Sequence, residues 1–374
     1  VEHMRIFIIN IVVFFMIILL LIITPSFLMT SKQYIENLLA FYKGLSIESK
    51  IKSQFKDRPE LIGPIIEYKK NIQSTYHDYF VYRQSKLNSK SINIDEDGIR
   101  YSFKPNLNGD KNNFGFIFLG SSAMAGYGSN DNNTIPSYFA RINNNQVVNY
   151  ADYGYNSQQS LNFLTNRIIT NKLEFKSGIV KAYDGGGDVD HKCRSEIKST
   201  ETAYQAIVRS SLEKSNNGPL TFNYLLQPII EFINRIRLKI DNKPRIKLFD
   251  CQKGSLKSET TAKHLVKSWQ LTKEIANANN FGFMAILQPF ATKQHLNLDF
   301  SMNETKNENG VSVYDNIKKI AKNSDLVFLD LSQLFLEKGA HFFDHVHVDA
   351  NGNKIIADKI SEFIMNNKLE ILDF

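Results

Sequence analysis

The chain has 374 residues, 43% hydrophobic and 12% aromatic, enough to fill one large domain or two ordinary ones. Its formal net charge is +7, with lysines and arginines scattered among acids. That balance reads as solubility, with attraction to anionic glycans or lipid headgroups as a weaker option, and no motif supports nucleic-acid binding. Two cysteines, Cys193 and Cys251, without a CxxC pattern or a Cys/His quartet, argue against a structural zinc site.

From Ile6 to Ile23 the chain is apolar except for Asn10, and it carries no charge there. That length is the lower limit for a helix spanning a bilayer. Thr24-Pro25-Ser26 interrupts the run and Phe27-Leu28-Met29 extends it. A cleaved signal peptide would have a shorter apolar region and a small-x-small site, so an uncleaved transmembrane anchor over 5–29 is expected. Arg5 places the amino terminus inside, and everything from about Ser31 outside the cytoplasm. Residues 30–110 read first as a polar helical stalk, to about Gln73, broken near Pro59 and at Gly63-Pro64. An aromatic, strand-like segment follows from Tyr76 to Phe103, with a turn at Asp95–Gly98.

Residues 111–370 alternate strand and helix patterns. Phe114–Leu119 is the first core strand and Pro136–Ile142 begins a helix. Gln146–Tyr150 is a strand, followed by a helix from Ser157 to about Asn171, and Gly178–Tyr183 is the third strand. The helix Thr260–Asn279, the strand Phe281–Gln288, the helix Val311–Lys322 and the strand Leu326–Leu331 come next. The closing helix, Asn351–Met365, puts Ile355, Ile356, Ile360 and Ile364 on one face. The alternation predicts an α/β fold with a parallel five-stranded sheet and helices on both faces. An insertion at 190–258, helical in stretches such as Ile229–Leu238, interrupts the pattern; it suggests a lid or specificity region and holds both cysteines. Their even count and an oxidising location would let them pair, although spacing does not show proximity.

Two stretches carry chemistry. In Phe114–Gly128 the first strand stops at Gly120 and Ser121-Ser122 follow, which puts a hydroxyl at the carboxyl edge of the sheet, where open α/β sheets bind ligands. In Phe343-Asp344-His345-Val346-His347 an acid stands three residues before a histidine. It can fix the imidazole's tautomer while the other ring nitrogen faces a serine.

Together these stretches, with what lies between them, resemble the SGNH (GDSL-type) hydrolases over about residues 114 to 368. Gly120-Ser121-Ser122 matches the Gly-Asp-Ser-like block, with Ser121 in the Asp place, and Asp344-His345-Val346-His347 matches the Asp-x-x-His block. The resemblance implies a catalytic serine at Ser122, a histidine at His347 and an acid at Asp344. It implies an oxyanion hole from the N–H groups of Ser122 and Gly154. The family's third donor is an asparagine in a Gly-x-Asn-Asp block, and here Gly187 stands in its place. One expected donor is therefore absent.

A rival reading takes His345-x-His347-x-Asp349 as metal ligands, but no histidine follows His347 to complete a site, so no metal or other cofactor is expected. His341 and His345 read as surface or supporting residues, and Asp349 with Asn351 as a helix cap. Two functions stay open. One is ester hydrolysis or O-acyl (acetyl) transfer on an envelope carbohydrate, by a single-pass protein of the inner membrane with a periplasmic domain. The other, suggested by Gly187, is a weakly active or inactive glycan-binding or assembly protein of the same fold.

Overall fold

The computed structural model describes residues 47–106, 113–198, 249–291, 304–335 and 341–372, with a few single residues besides. The chain divides into two compact units, Val1–Lys50 with Ile207–Lys247, and Ile51–Ala206 with Leu248–Phe374. The second holds nearly all the described residues. The expected anchor at Ile6–Ile23 lies almost wholly outside them, as does Ile229–Leu238. Among the described residues no helix is long and apolar enough to cross a membrane.

The second unit is built on five parallel strands: β1 (Phe114–Gly120), β2 (Val147–Asn149), β3 (Ser177–Asp184), β4 (Phe281–Leu287) and β5 (Phe328–Asp330). Their spatial order is β2-β1-β3-β4-β5. Phe116 pairs with Val147 on one side of β1, and Gly120 with Tyr183 on the other. The runs of β1 and β4 are short, apolar and buried on both faces, as the centre of a parallel sheet requires, while β5 at the edge is only partly buried.

Alternate residues feed two cores. Ile117 and Leu119 of β1, with Val180, Ala182, Phe283 and Ala285, pack against α2 (Ser157–Ile169), α3 (Leu256–Asn277) and α4 (Glu304–Ala321). Phe116, Phe118, Ile179, Tyr183, Met284 and Ile286 pack against α1 (Ile135–Asn143) and α5 (Ala350–Asn366). The expected three-layer architecture is thus present. Ile356, Ile360 and Ile364 form the buried stripe of α5, while Ile355 lies partly buried beside it. Because β1 sits between β2 and β3, the chain reverses direction across the sheet there. The crevice at the carboxyl ends of β1 and β3 is the switch point where such sheets bind ligands.

The upstream segment departs from expectation. The helix Pro59–Asn71 is not broken at Gly63-Pro64 but runs through them. Pro64 lies in the second turn, where its missing N–H costs one bond to Glu60, and its ring is buried on the same face as Leu61 and Ile65. Leu61 and Ile65 form a small core with Phe343, so packing outweighs the lost bond. The aromatic segment forms a hairpin, Ser74–His77 with Val81–Gln84, and a second short one, Leu87–Asn88 with Asn93–Ile94. Ile99–Tyr101 does not resume a strand; Arg100 makes single bridges to Ile94 and to Asn149 on the outer edge of β2. Cys193 and Cys251 are joined by a disulfide, with their Cα atoms 5.2 Å apart.

Candidate active site

The serine turn begins where β1 ends. Ser121 is in extended backbone, Ser122 opens a single helical turn, Ser122–Ala125, and Gly126 closes it in the left-handed region at φ 88°. The turn is held from below by Arg100, whose side chain is almost fully buried. Its guanidinium pairs with Asp131 at 3.0 Å and donates to the carbonyls of Ala125, Gly126 and Ser129 at 2.6–2.7 Å. It also donates to the Tyr153 hydroxyl at 2.9 Å. A planar fork with five N–H donors is suited to such a set, and no lysine could replace it. Arg100 went unnoticed in the sequence because no motif marks a structural arginine.

The histidine comes from a tight loop. His341–Asp349 folds back on itself, with Phe343 N–H donating to His347 O and Asp349 N–H to His341 O. The Asp344 carboxylate accepts the N–H groups of Val346 and His347 at 2.9 and 2.8 Å through one oxygen. Its other oxygen lies 2.6 Å from His347 Nδ1. On the far side of the ring, His347 Nε2 is 2.7 Å from Ser122 Oγ. Ser122, His347 and Asp344, 225 residues apart at the extremes of contact, thus meet at the carboxyl edge of the sheet.

Burial alone would push the Asp344 carboxyl up. Electrostatic attraction to His347 and its hydrogen bond, the nearby His345 and the Val346 amide outweigh it, and the group is held well below the usual carboxylate range. Asp344 therefore stays ionised and able to hold Nδ1–H. The imidazole is also gripped by rings. Phe343 stacks on it at 5.7 Å and 14°, and Tyr127 lies against it at 4.8 Å and 50°. Burial, with the charge of Asp344, raises the Tyr127 phenol far above its ordinary value, so it is a neutral wall.

Gly154 follows β2 with φ 76°. Neither its N–H nor that of Ser122 donates to an acceptor among the described residues. Gly187 is the second residue of the helix Gly186–Lys192. A Cβ at that position would stand 2.4 Å from the Tyr155 carbonyl oxygen and 3.1 Å from Ser121 Cβ. The space that an asparagine would need is filled by backbone, so the change to glycine is built into the packing and not a simple deletion.

His345 is supporting and not exposed to a ligand set: its Nε2 lies 2.9 Å from Asp190 and its Nδ1 4.0 Å from Asp344. Asp349 caps α5, accepting from Gly352 N–H at 2.8 Å, and meets His341 Nδ1 at 3.1 Å. Asn351 takes no part in that cap; it is an exposed residue of the first turn. Asn156 caps α2 through Gln159 N–H. Among the described residues no three His, Cys, Asp or Glu side chains are grouped to hold a metal ion.

No family model matches the chain, and no curated protein matches it. Solved structures do. One is a member of the lipolytic protein G-D-S-L family from Veillonella parvula, at 15% identity, covering 67% of this chain and 97% of that one, with a TM-score of 0.38. Another is a lipase/acylhydrolase from Enterococcus faecalis, at 11% identity, 68% and 96% coverage and a TM-score of 0.38. A third is an acetyl xylan esterase, at 15% identity, 66% and 98% coverage and a TM-score of 0.37.

Proposed function

We propose that the chain is a serine-dependent acyl-ester hydrolase or O-acyl transferase, acting on an acylated carbohydrate of the cell envelope. The observation that carries this reading is the continuous pair of contacts from Asp344 through His347 to Ser122 Oγ, at 2.6 and 2.7 Å. Ser122 Oγ attacks the ester carbonyl carbon while His347 Nε2 takes the hydroxyl proton. The carbonyl electrons move onto oxygen, which the N–H groups of Ser122 and Gly154 receive. As the C–O bond to the sugar breaks, His347 returns the proton to the leaving alcohol and the acyl group stays on Ser122. Water, or a second sugar hydroxyl, then attacks, gives its proton to His347 and displaces Ser122 Oγ, which recovers that proton. Asp344 orients His347 and balances its charge throughout.

The apolar run Ile6–Ile23 supports a membrane-anchored, extracytoplasmic placement, and an envelope substrate is the reading by family analogy that fits such a placement. The disulfide Cys193–Cys251 fits an oxidising compartment. Gly187 favours the second reading, a glycan-binding or assembly protein with little activity, since losing one oxyanion donor typically costs about a hundred- to a thousandfold. Incubation with a small aryl acetate decides between them. Wild-type protein releases the phenol, and Ser122→Ala and His347→Ala lose roughly 10⁴- to 10⁶-fold in turnover. Equal rates in wild type and Ser122→Ala, or none in either, would refute the enzyme reading.

A further inference from the structure

The hairpin Ser74–His77/Val81–Gln84 lies outside the five-stranded sheet, and the mechanism above does not use it. Its second strand clasps the loop after β2. Arg83 donates to the Tyr150 carbonyl at 2.9 Å, Gln84 N–H donates to the Asp152 carboxylate at 3.2 Å, and Tyr155 O–H donates to the Tyr82 carbonyl at 2.6 Å. One contact of the clasp differs in kind. The Tyr82 hydroxyl donates to the Tyr153 carbonyl at 2.7 Å.

The Tyr153 carbonyl and the Gly154 N–H belong to one peptide unit. No peptide bond in the described residues is cis. In a planar trans unit the C=O and N–H point in opposite directions, so anchoring the carbonyl on Tyr82 aims the N–H away from it. Nothing in Gly154 itself would hold that plane, because a residue without Cβ accepts rotation in either sense. A Cβ there would stand 2.7 Å from the Tyr82 hydroxyl oxygen, so the glycine is also what lets the hydroxyl come close. Tyr82 is in turn fixed: it is 8% exposed, and its ring meets that of Tyr155 edge-on at 5.4 Å.

We infer that Tyr82, contributed by a hairpin upstream of the α/β fold, is a positioning residue that points the Gly154 N–H at the oxyanion. The inference rests on the acyl-transfer reading above. It matters more here than in a site with three donors, because Gly187 supplies no side chain to share the load. The donated hydrogen bond also polarises the peptide and makes its N–H a stronger donor.

The test is Tyr82→Phe in the full chain, beside Tyr155→Phe, which removes a buried hydroxyl from the same clasp without touching the Tyr153–Gly154 peptide. The substrates are an aryl acetate and its thionoester, whose sulfur accepts hydrogen bonds poorly. Tyr82→Phe is expected to lower kcat for the oxygen ester about ten- to a hundredfold, less than outright loss of a donor. KM should stay within about twofold. The preference for the oxygen ester over the thionoester should shrink with kcat, whereas Tyr155→Phe should keep that preference. Unchanged kcat in Tyr82→Phe, or a fall in kcat with the preference intact, overturns the inference while leaving the serine mechanism standing. If Ser122→Ala retains full turnover, or wild type has none, the acyl-transfer reading falls and takes this inference with it.

Discussion

The loop that carries Asp344 and the carboxyl end of β3, which carries Asp184, each bury a carboxyl group, with opposite results. Asp344 faces His347 and two backbone N–H groups and is held far down in pKa. Asp184 is fully enclosed, accepts one bond from Trp269 Nε1 at 2.8 Å and lies near Asp188. Burial first, and then the charge of Asp188, push it up to about 7, against the opposing pull of Trp269 and Lys192. The difference teaches that depth decides less than the company kept: a carboxylate given cations and amides remains charged, and one given a like charge and an indole does not. The first is suited to steering an imidazole; the second stays protonated only while the pH is below about 7.

The largest effect that would break the contrast is on turnover. Asp344→Asn keeps the shape but loses the charge and the tautomer control, so kcat should fall roughly 10³- to 10⁴-fold with the fold intact. A fall under tenfold would mean the ionised state of Asp344 is not what the site uses. The second effect is on stability. For an acid whose folded pKa is raised, the stability is present below its unfolded value and is lost as pH rises through about 7. Asp184→Asn removes that loss. It should leave stability at pH 4 nearly unchanged and raise it at pH 8 by about 2–4 kcal/mol, read from denaturant midpoints at the two pH values. The same effect at both pH values would show that Asp184 is ionised throughout.

A third residue sharpens the comparison from the basic side. Lys181, also on β3, is fully buried, and its amine nitrogen has no polar partner among the described residues. It stands 3.8, 4.2 and 4.3 Å from the ring centres of Phe116, Phe118 and Phe139, and burial pushes its pKa well down. For a base lowered on folding, stability increases as pH rises toward the unfolded value near 10.4. Lys181→Met should abolish that rise and stabilise the protein at neutral pH by about 1–3 kcal/mol. Destabilisation instead would show that the three rings hold the charged form strongly enough to keep it.

The sheet and the two site blocks were legible because each leaves a local mark. A buried parallel strand must be a short apolar run, and an acid that orients a histidine within one loop must lie a few residues from it. The helix through Pro64 was not legible, because only the burial of its ring beside Leu61 and Ile65, which themselves pack on Phe343, outweighs the lost amide. The rings gripping His347 are no more visible: Tyr127 sits just past the serine turn and Phe343 just before Asp344, yet neither belongs to a motif. Gly187 read as a missing donor, and only the Tyr155 carbonyl in its place shows why a larger residue has no room. Arg100 and Tyr82 act on the site from the aromatic, strand-like segment ahead of the α/β pattern, where no motif marks them.

The disulfide has a consequence for how the chain can be redesigned. Cys193 and Cys251 are 58 positions apart in sequence, yet the backbone leaves and returns within 5.2 Å. The covalent link keeps the residues after β3 beside those before α3, whatever the sequence strung between them. The pair can serve as a socket, into which segments of different length can be grafted while the five-stranded sheet stays the same.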